Sequence, residues 1–158
     1  MSKAKLDRID RRILSDLQEN GRITNVELAK NAGISAPPCL RRVRALEELG
    51  FIEGYHAELN ASALGYGISV FAKVALEDTS EHDLQDFIEA VREMEEVRES
   101  YFIAGDSDFM LKIIAKDWDA YQSFVTQKLT AIENVRSVKS SLIMKRNFKK
   151  PSVPVDID

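Results

Sequence analysis

The 158-residue sequence has one cysteine, two histidines and no long apolar run. A single cysteine excludes an internal disulfide framework, and no Cys/His cluster has the spacing of a zinc site. The apolar runs fall short of the roughly 20 residues that a membrane-spanning helix needs, and the first seven residues lack the apolar stretch of a secretory signal. We therefore expect a cytoplasmic protein with no metal, no cofactor and no membrane partner.

A net positive charge is also lacking, since the formal net charge is −4. It is unevenly distributed: residues 1–60 hold 10 Lys and Arg against 9 Asp and Glu, whereas residues 61–158 hold 12 against 17. DNA affinity depends on local positive potential, so this average does not exclude DNA binding by the first sixty residues. The split predicts two domains with different tasks.

The first sixty residues carry helical patterns. Apolar residues recur at helical spacing from Leu6 to Leu17, which predicts an amphipathic helix that ends near Asn20-Gly21. Thr24 and Glu27 form a capping box that opens a short helix from Asn25 to about Asn31. The apolar side predicted for this second helix comprises Val26, Leu28, Ala29 and Ala32.

A third helix follows the turn at Gly33, and its beginning is unusual. Ser35 stands where an N-cap residue would, but Pro37 and Pro38 lack the N–H groups that a capping serine bonds. The sequence therefore predicts that the helix begins one to three residues later, with Pro38 at its first position. The hydroxyl of Ser35 would then be free for another acceptor, such as a phosphate.

Three arginines lie on this third helix, and a helix after such a turn can enter the major groove of DNA. With Leu40, Val43 and Leu46 as the predicted buried stripe, Arg41 is the candidate for base readout, and Arg42 and Arg44 are candidates for phosphate or structural contacts. Alternatively, all three are solvated charges or partners of Glu47 and Glu48. The predicted DNA-contacting residues are Thr24, Ser35, Ala36, Pro37, Pro38, Cys39, Arg41, Arg42, Arg44 and Ala45.

Residues 51–59 alternate apolar and polar side chains around Gly54. This pattern predicts a short hairpin, the wing of a winged helix–turn–helix. Within it, Tyr55 is predicted to pack rather than to contact a base. These boundaries predict a first domain over residues 1–59 and a glycine-containing linker over 60–67.

The remaining residues predict an α+β domain over 68–150. Four strand patterns run from Ile68 to Leu76, from Val97 to Ala104, from Phe109 to Ala115 and from Val135 to Lys145, and helical patterns follow the first and third of them. The order βαββαβ is typical of the ferredoxin-like fold, in which both helices cover one face of the sheet. The other face, with Phe71 and Lys73, is left half apolar and without a partner. Residues 151–158 show no periodicity and are predicted to form a mobile tail.

In this order and spacing, the motifs resemble the Lrp/AsnC family of bacterial and archaeal transcription regulators over nearly the whole chain. The motifs that carry the resemblance are Leu6-Asp7, Asp10, Ile13-Leu14, Asn20-Gly21-Arg22, Glu27-Leu28-Ala29, Gly33-Ile34-Ser35, Arg42-Val43, Leu46-Glu47 and Gly50 to Tyr55. Pro38-Cys39-Leu40 and Gly105-Asp106-Ser107-Asp108 are most similar to the leucine-responsive branch. The resemblance implies a winged helix–turn–helix followed by a ferredoxin-like domain of the RAM or ACT type.

The resemblance also implies an amino-acid effector site at the turn Gly105-Asp106-Ser107-Asp108. Backbone N–H groups of the turn would suit an α-carboxylate, and Asp106 or Asp108 would suit an α-ammonium. The implied effector residues are Ser100, Tyr101, Ile103, Ala104, Gly105, Asp106, Ser107 and Asp108. Phe109 stands where leucine-type relatives often carry tyrosine, which removes a hydroxyl. Alternatively, the turn is ordinary hairpin chemistry.

The partners that the resemblance implies are double-stranded DNA, a small amino-acid effector and a second copy of the chain. Family members form homodimers through the open sheet face, and the dimers often assemble to octamers. An architectural, nucleoid-type protein that wraps DNA without an effector is the alternative function. An enzyme with Asp106 and Asp108 as acid and base is disfavoured, because no nucleophile–base pair, phosphate loop or metal cluster accompanies them.

Overall fold

A computed structural model describes residues 5–150 and 152–157. The described residues divide into two compact units, one made of the residues up to Glu58 together with those from Phe148 onward, the other of Leu59 to Asn147. The predicted ranges 1–59 and 151–158 include residues 1–4, 151 and 158, which lie outside the described residues. The chain thus returns to the first unit after it has completed the second.

Three helices form the first unit. Helix α1 spans Arg8–Glu19, α2 spans Asn25–Ala32 and α3 spans Ala36–Glu48. The buried side chains between them are Ile13, Leu28, Ala29, Cys39 and Leu46. Apolar side chains at helical spacing thus meet in one core, as the sequence predicts.

Helix α2 begins and ends with the predicted chemistry. The Thr24 hydroxyl accepts a hydrogen bond from the backbone N–H of Glu27, whose carboxylate accepts one from the backbone N–H of Thr24. Gly33 ends α2 with a φ of 71°, a left-handed conformation that glycine adopts without steric cost. Val26 was wrongly predicted to be buried: it is 70% exposed, because it lies about 200° around the helix from Leu28.

Helix α3 begins at Ala36, so the predicted start at Pro38 is wrong. Prolines are tolerated at its second and third positions because the first N–H groups of a helix have no intrahelical acceptor. Ser35 holds the N-cap position without a side-chain capping bond, as the prolines dictate. The buried stripe is also corrected: Leu40 is 40% exposed and Cys39 is fully buried in its place.

Residues 51–59 contain no strand, so the predicted hairpin is not formed. A lone two-stranded ribbon is marginal in water, and this segment is held by other contacts. Ile52 packs against the core of the first unit, and the Tyr55 hydroxyl donates a hydrogen bond to Glu47 Oε1 at 2.9 Å. Tyr55 therefore anchors the segment to the end of α3, in agreement with its predicted packing role.

The C-terminal segment lies against the first unit. Arg11 Nη1 donates a hydrogen bond to the backbone carbonyl of Asp156 at 3.0 Å, and Val155 and Ile157 are half-buried. A groove of about 670 Å³ is lined by α1, residues 51–56 and residues 152–156. The sequence predicts a mobile tail here, but residues can line a groove without a periodic pattern, and Val155 is half-buried there. The described residues 152–157 are therefore part of the first unit.

The second unit has the order β1(Ile68–Leu76), α4(Glu81–Arg92), β2(Val97–Phe102), β3(Phe109–Ala115), α5(Trp118–Phe124) and β4(Val135–Leu142). β1 pairs antiparallel with β3 and β4, and β2 pairs antiparallel with β3. The sheet order is therefore β2-β3-β1-β4, which is the predicted ferredoxin-like arrangement. β2 and β4 end two and three residues earlier than the sequence predicts.

One apolar core holds both helices against the same face of the sheet. Phe87 and Val91 of α4 and Tyr121 and Phe124 of α5 join the inward side chains of the strands. After Phe124 the helix continues as a π-helical turn, Val125–Leu129. The other sheet face is open, and Phe71 is 37% exposed on it. The alternation of side chains along the strands thus predicts correctly which of them face the helices.

Candidate DNA-binding and effector sites

Helix α3 presents an exposed face with positive charge. Arg41 and Arg44 lie one turn apart on this face, with Ala45 beside them, and all three are exposed. Among the described residues, neither guanidinium has an ion-pair or hydrogen-bond partner. Leu40, predicted to be buried, lies on the same face and adds an apolar contact surface. This combination suits guanine edges, phosphates and thymine methyl groups.

Arg42 points to the protein instead. Its Nη1 donates hydrogen bonds to Asp10 Oδ1 at 2.7 Å and to Asp7 Oδ2 at 2.8 Å. These two carboxylates form the capping box at the start of α1. Hydrogen bonding to Asp10, and then to Asp7, raises the pKa of Arg42 above its ordinary value. Of the two predicted roles for Arg42, the structure favours the structural one, with partners other than Glu47 and Glu48.

The two predicted hydroxyl contacts to DNA differ. The Thr24 hydroxyl donates to Glu27 Oε2 at 2.8 Å and accepts from the Glu27 backbone N–H at 3.2 Å. A phosphate oxygen only accepts, so Thr24 would have to break its bond to Glu27 to contact DNA. The Ser35 hydroxyl makes no capping bond and has no partner among the described residues. Ser35 is therefore the available donor.

The first turn of α3 is poor in backbone donors. Pro37 and Pro38 have no N–H group, so only Ala36 contributes one among the first three helical residues. The carbonyl of Ala36 accepts a hydrogen bond from Asn25 Nδ2 at 2.9 Å, which fixes the start of α3 against α2. Phosphate contacts at this end must therefore come mainly from side chains.

Cys39 is fully buried among the three helices. Burial raises the pKa of its thiol, so the neutral thiol is favoured. Its side chain is not on the DNA-facing surface, and its predicted contact with DNA is not supported. The sequence prediction is wrong here because Cys39, and not Leu40, lies on the stripe of α3 that faces the core.

The predicted effector turn is closed by backbone hydrogen bonds. The Ile103 N–H donates to the Asp108 carbonyl at 2.8 Å, and the Asp108 N–H donates to the Val74 carbonyl at 3.0 Å. The Asp108 carboxylate accepts from the Leu76 N–H at 2.8 Å. Asp108 is thus engaged in holding the turn to β1, which leaves it poorly placed for an α-ammonium.

Asp106 is the exposed carboxylate of the turn. Its Oδ1 lies 3.2 Å from Lys73 Nζ, and its Oδ2 lies 3.9 Å from Lys139 Nζ. The hydrogen bond from Lys73 is the main reason that the pKa of Asp106 is lowered. This carboxylate is therefore charged at neutral pH and is held only by exposed partners.

The other predicted effector residues differ in exposure. Ser100, Tyr101, Ala104 and Gly105 are exposed, Ile103 is half-buried and Ser107 is buried. The side chain of Ser107 is therefore turned away from solvent. The Tyr101 hydroxyl donates to Glu99 Oε2 at 2.6 Å, which holds the ring along β2 on the exposed side.

Phe109 does not belong to the exposed surface. It is 1% exposed, and its ring centroid lies 4.6 Å from that of Phe87 on α4. The hydroxyl that a tyrosine would add at this position would therefore point into the core. The substitution changes the packing of the domain rather than the exposed side of the turn.

Four charged residues that complete these clusters were not identified from the sequence: Asp7, Asp10, Lys73 and Lys139. The spacing of the first two is that of a capping box, and the strand pattern places Lys73 on the open face. Neither signal shows that Arg42 or Asp106 is the partner, because these contacts join residues more than 30 positions apart.

No group of three or more His, Cys, Asp or Glu side chains within residues 5–150 and 152–157 is arranged to hold a metal ion. In the same part of the chain, no helix is both long and apolar enough to cross a membrane.

Comparisons with known proteins identify the family to which each part of the chain is similar. Residues 6–53 match the model of the winged helix–turn–helix DNA-binding family, and residues 69–153 match that of the Lrp/AsnC ligand-binding domain. The leucine-responsive regulatory protein of Rhizobium meliloti is 49% identical over 144 residues, 91% of this chain and 92% of its own. The protein of that name in Escherichia coli K12 is 41% identical over 88% of this chain and 85% of its own.

Solved structures show the same fold. A transcriptional regulator of Neisseria meningitidis in complex with L-Met aligns with a TM-score of 0.91 and 34% identity over 96% of this chain and 98% of its own. AsnC of E. coli aligns with a TM-score of 0.86 and 26% identity over 96% of this chain and all of its own. The chain therefore belongs to the Lrp/AsnC family and is a DNA-binding transcription regulator with an amino-acid-binding domain, not an enzyme.

Proposed function

We propose that α3 reads DNA through Arg41, with Arg44 and Ser35 on phosphates and Leu40 and Ala45 as apolar contacts. The exposed, unpaired guanidinium of Arg41 is the observation that carries this assignment. Pro37 is exposed and borders the same face, whereas Thr24, Cys39 and Arg42 are removed from the contact set by their hydrogen bonds or burial.

The protein acts as a homodimer, and the dimers assemble to an octamer. The open sheet face supports this, because a half-apolar face of that kind is usually covered by a partner. Two copies of α3 about 34 Å apart would match one turn of the duplex. A regulator of this kind works where the DNA is, and we assign it to the cytoplasm.

An amino acid bound at residues 100–108 changes the relative placement or number of the dimers. The exposed Asp106 carboxylate supports an α-ammonium site, and the neighbouring turn offers backbone N–H groups for a carboxylate. The relative from N. meningitidis, whose complex contains L-Met, supports an amino acid as the ligand class. By linkage, ligand and DNA must alter each other's affinity by the same factor.

Substitutions on α3 test the DNA assignment. We expect Arg41→Ala to weaken binding to a cognate site by about 1–3 kcal/mol, or roughly fivefold to 150-fold, and to relax sequence preference at one position. Arg44→Ala should weaken binding to all sequences and lower the slope of log affinity against log salt by about one. Arg136→Ala, which removes an exposed arginine from β4 of the second unit, is the matched control. If Arg41→Ala and Arg44→Ala both bind like the wild type, the recognition-helix assignment is wrong.

A melting experiment against the twenty amino acids tests the effector. A ligand at about 100 times its Kd adds ~2.7 kcal/mol to the stability of the unit that binds it. The only tryptophan, Trp118, lies in the second unit, so its fluorescence reports the melting of that unit. A selective shift that is lost in Asp106→Asn would support the site. Absence of any shift would contradict an amino-acid effector.

A further inference from the structure

The first turn of α3 lacks the cap that usually holds the start of a helix. The Ser35 side chain makes no capping bond, because Pro37 and Pro38 offer no N–H group at the positions that an N-cap residue bonds. The first backbone bond of the helix, from the Cys39 N–H to the Ser35 carbonyl, is long at 3.3 Å. Local contacts therefore hold this turn weakly.

A bond from α2 holds the turn instead. Asn25 is the first residue of α2, and its Nδ2 donates a hydrogen bond to the Ala36 carbonyl at 2.9 Å. Ala36 is the first residue of α3 and lies between Ser35 and the two prolines. A carbonyl oxygen has two lone pairs, so this bond does not compete with the helical one. The side chain of Asn25 thus fixes the start of α3 from outside the helix.

The amide of Asn25 has one orientation that suits this contact. A carbonyl only accepts, so the NH2 end of the amide must face Ala36. The other end, Oδ1, is inaccessible to solvent and accepts no hydrogen bond from residues 5–150 and 152–157. A buried acceptor without a donor lowers stability, whereas an apolar residue of the same shape would avoid that cost. Stability alone therefore does not explain an asparagine at this position.

Polar contacts join each pair of helices in the first unit. Asn31 Nδ2 donates to Asp16 Oδ2 at 2.8 Å, which joins α2 to α1, and Arg42 joins the middle of α3 to α1. The bond from Asn25 joins α2 to α3 at the end that carries Ser35. Asn25 therefore holds the end of α3 that neither of the other two contacts reaches.

We propose that Asn25 is a positioning residue for DNA recognition, which sets where the first turn of α3 meets the duplex through its bond to Ala36. The inference rests on the proposed role of α3 in reading DNA. Ser35 directly precedes Ala36 and Arg41 lies about one and a half turns after it, so a shift of this turn moves both side chains. Contacts to base edges need close alignment, whereas phosphate contacts carry no sequence information. Loss of the bond therefore lowers sequence preference more than total affinity.

Binding to two duplexes tests this role. One duplex is enriched from a random-sequence library by the full-length wild type, and the other is a scrambled duplex of the same length and base composition. Asn25→Leu keeps a similar volume and removes the donor. We expect it to lower the ratio of the affinities for the two duplexes about tenfold and to change the affinity for the scrambled duplex by less than about threefold. Circular dichroism at 222 nm verifies that each variant is folded at the assay temperature.

Asn31→Leu is the matched control, because it removes an interhelical bond of similar length from the same helix. It should leave the ratio within about twofold of the wild type. Asn25→Asp is a second test if Asn25→Leu is unstable: it keeps the shape, suits the first turn of a helix and lacks the donor at neutral pH. Its negative charge weakens binding to both duplexes, so the ratio remains the measurement. In an Arg41→Ala background, Asn25→Leu should lower the ratio by less than it does in the wild type.

The outcomes separate this inference from the proposed function. If the wild type enriches no sequence, or Arg41→Ala alone keeps the wild-type ratio, the proposed role of α3 itself fails. If Arg41→Ala lowers the ratio and both Asn25 variants keep it within about twofold, the proposed function stands and the role of Asn25 is wrong. An equal loss in Asn31→Leu, or an undiminished effect of Asn25→Leu in the Arg41→Ala background, would show a general structural role and overturn the inference as well. A loss confined to the Asn25 variants and reduced in that background supports it.

Discussion

The two units contain ion clusters of opposite composition. In the first unit one cation, Arg42, is shared by Asp7 and Asp10; in the second, one anion, Asp106, is shared by Lys73 and Lys139. The arginine cluster has contacts of 2.7 and 2.8 Å, and one of its carboxylates is only 18% exposed. The lysine cluster has contacts of 3.2 and 3.9 Å between groups that are all at least 40% exposed.

This difference separates a tightly bonded cluster from a loosely bonded one. Around Arg42 the surplus charge is negative, and the short bonds join the start of α1 to the middle of α3. Around Asp106 the surplus charge is positive, and the longer, exposed contacts are easily exchanged. Burial and charge balance therefore decide how firmly each cluster holds its unit together.

The largest effect is expected from breaking the arginine cluster. Arg42→Ala leaves Asp7 and Asp10 without their cation, and we expect the first unit to lose about 1–2 kcal/mol of unfolding free energy. Lys139→Ala should change the stability of the second unit by less than about 0.5 kcal/mol. Urea unfolding followed by circular dichroism at 222 nm reports the helices of both units, and Trp118 fluorescence reports the second unit alone, so a loss seen only at 222 nm belongs to the first unit. Equal losses of unfolding free energy in Arg42→Ala and Lys139→Ala would contradict the difference between the two clusters.

A smaller effect is expected from acid. A backbone hydrogen bond from Asp10 is the main cause that lowers the pKa of Asp7, and Arg42 adds to it. A carboxyl group with a lowered folded-state pKa stabilises the fold above its unfolded pKa of about 3.9, and this stability is lost as the pH falls below that value. An acid titration at 222 nm should therefore show the first unit unfolding below about pH 4.

The arginine provides the control for this titration. Arg42→Gln removes a group that lowers the pKa of Asp7, so the carboxyl should protonate at a higher pH and the transition should move upward. Lys73→Gln, which changes the other cluster, should leave the transition at 222 nm in place. A midpoint that does not respond to Arg42→Gln would show that this cluster is not what acid disrupts.

The smallest effect concerns Tyr55, which attaches residues 51–59 to α3. Burial, followed by the hydrogen bond to Glu47, raises the pKa of Tyr55 to about 12. Its stabilising contribution is present below the unfolded pKa of about 10 and is lost as the pH rises through the folded value. In Tyr55→Phe, the titration followed by absorbance at 295 nm should lose the phenol that ionises at the highest pH. The same substitution should lower the free energy of unfolding by about 0.5–1.5 kcal/mol at pH 7. A Tyr55 that titrates near pH 10 would contradict the contact.

The fold could be predicted because it depends on local patterns. Helical spacing, the capping box at Thr24 and the period-two strands each act within a few residues. The predicted start of α3 is wrong because proline is tolerated at several early helical positions and not only at the first. The predicted hairpin at residues 51–59 is wrong because the alternation of apolar and polar side chains also suits an extended segment that packs on helices.

The sites could be predicted only in part, because their partners are distant in sequence. Arg41 and Arg44 follow from a helical wheel, but the separation of Arg42 from them depends on Asp7, 35 residues away. The turn at Gly105 to Asp108 is visible in the sequence, whereas Lys139 reaches it only through the register of β4 on β1. Tertiary pairing of charges leaves no periodic trace in a single sequence.

The return of the C-terminal segment to the first unit has a consequence for synthesis. The second unit is an insertion within the DNA-binding unit, and some contacts of that unit, including the bond from Arg11 to Asp156, are made by residues that follow the second unit. Domains usually fold as the chain emerges from the ribosome, N-terminal first. Here the three helices emerge before the second unit, yet a further part of their own unit is made only after it. A nascent chain that stops early therefore lacks part of the unit that binds DNA.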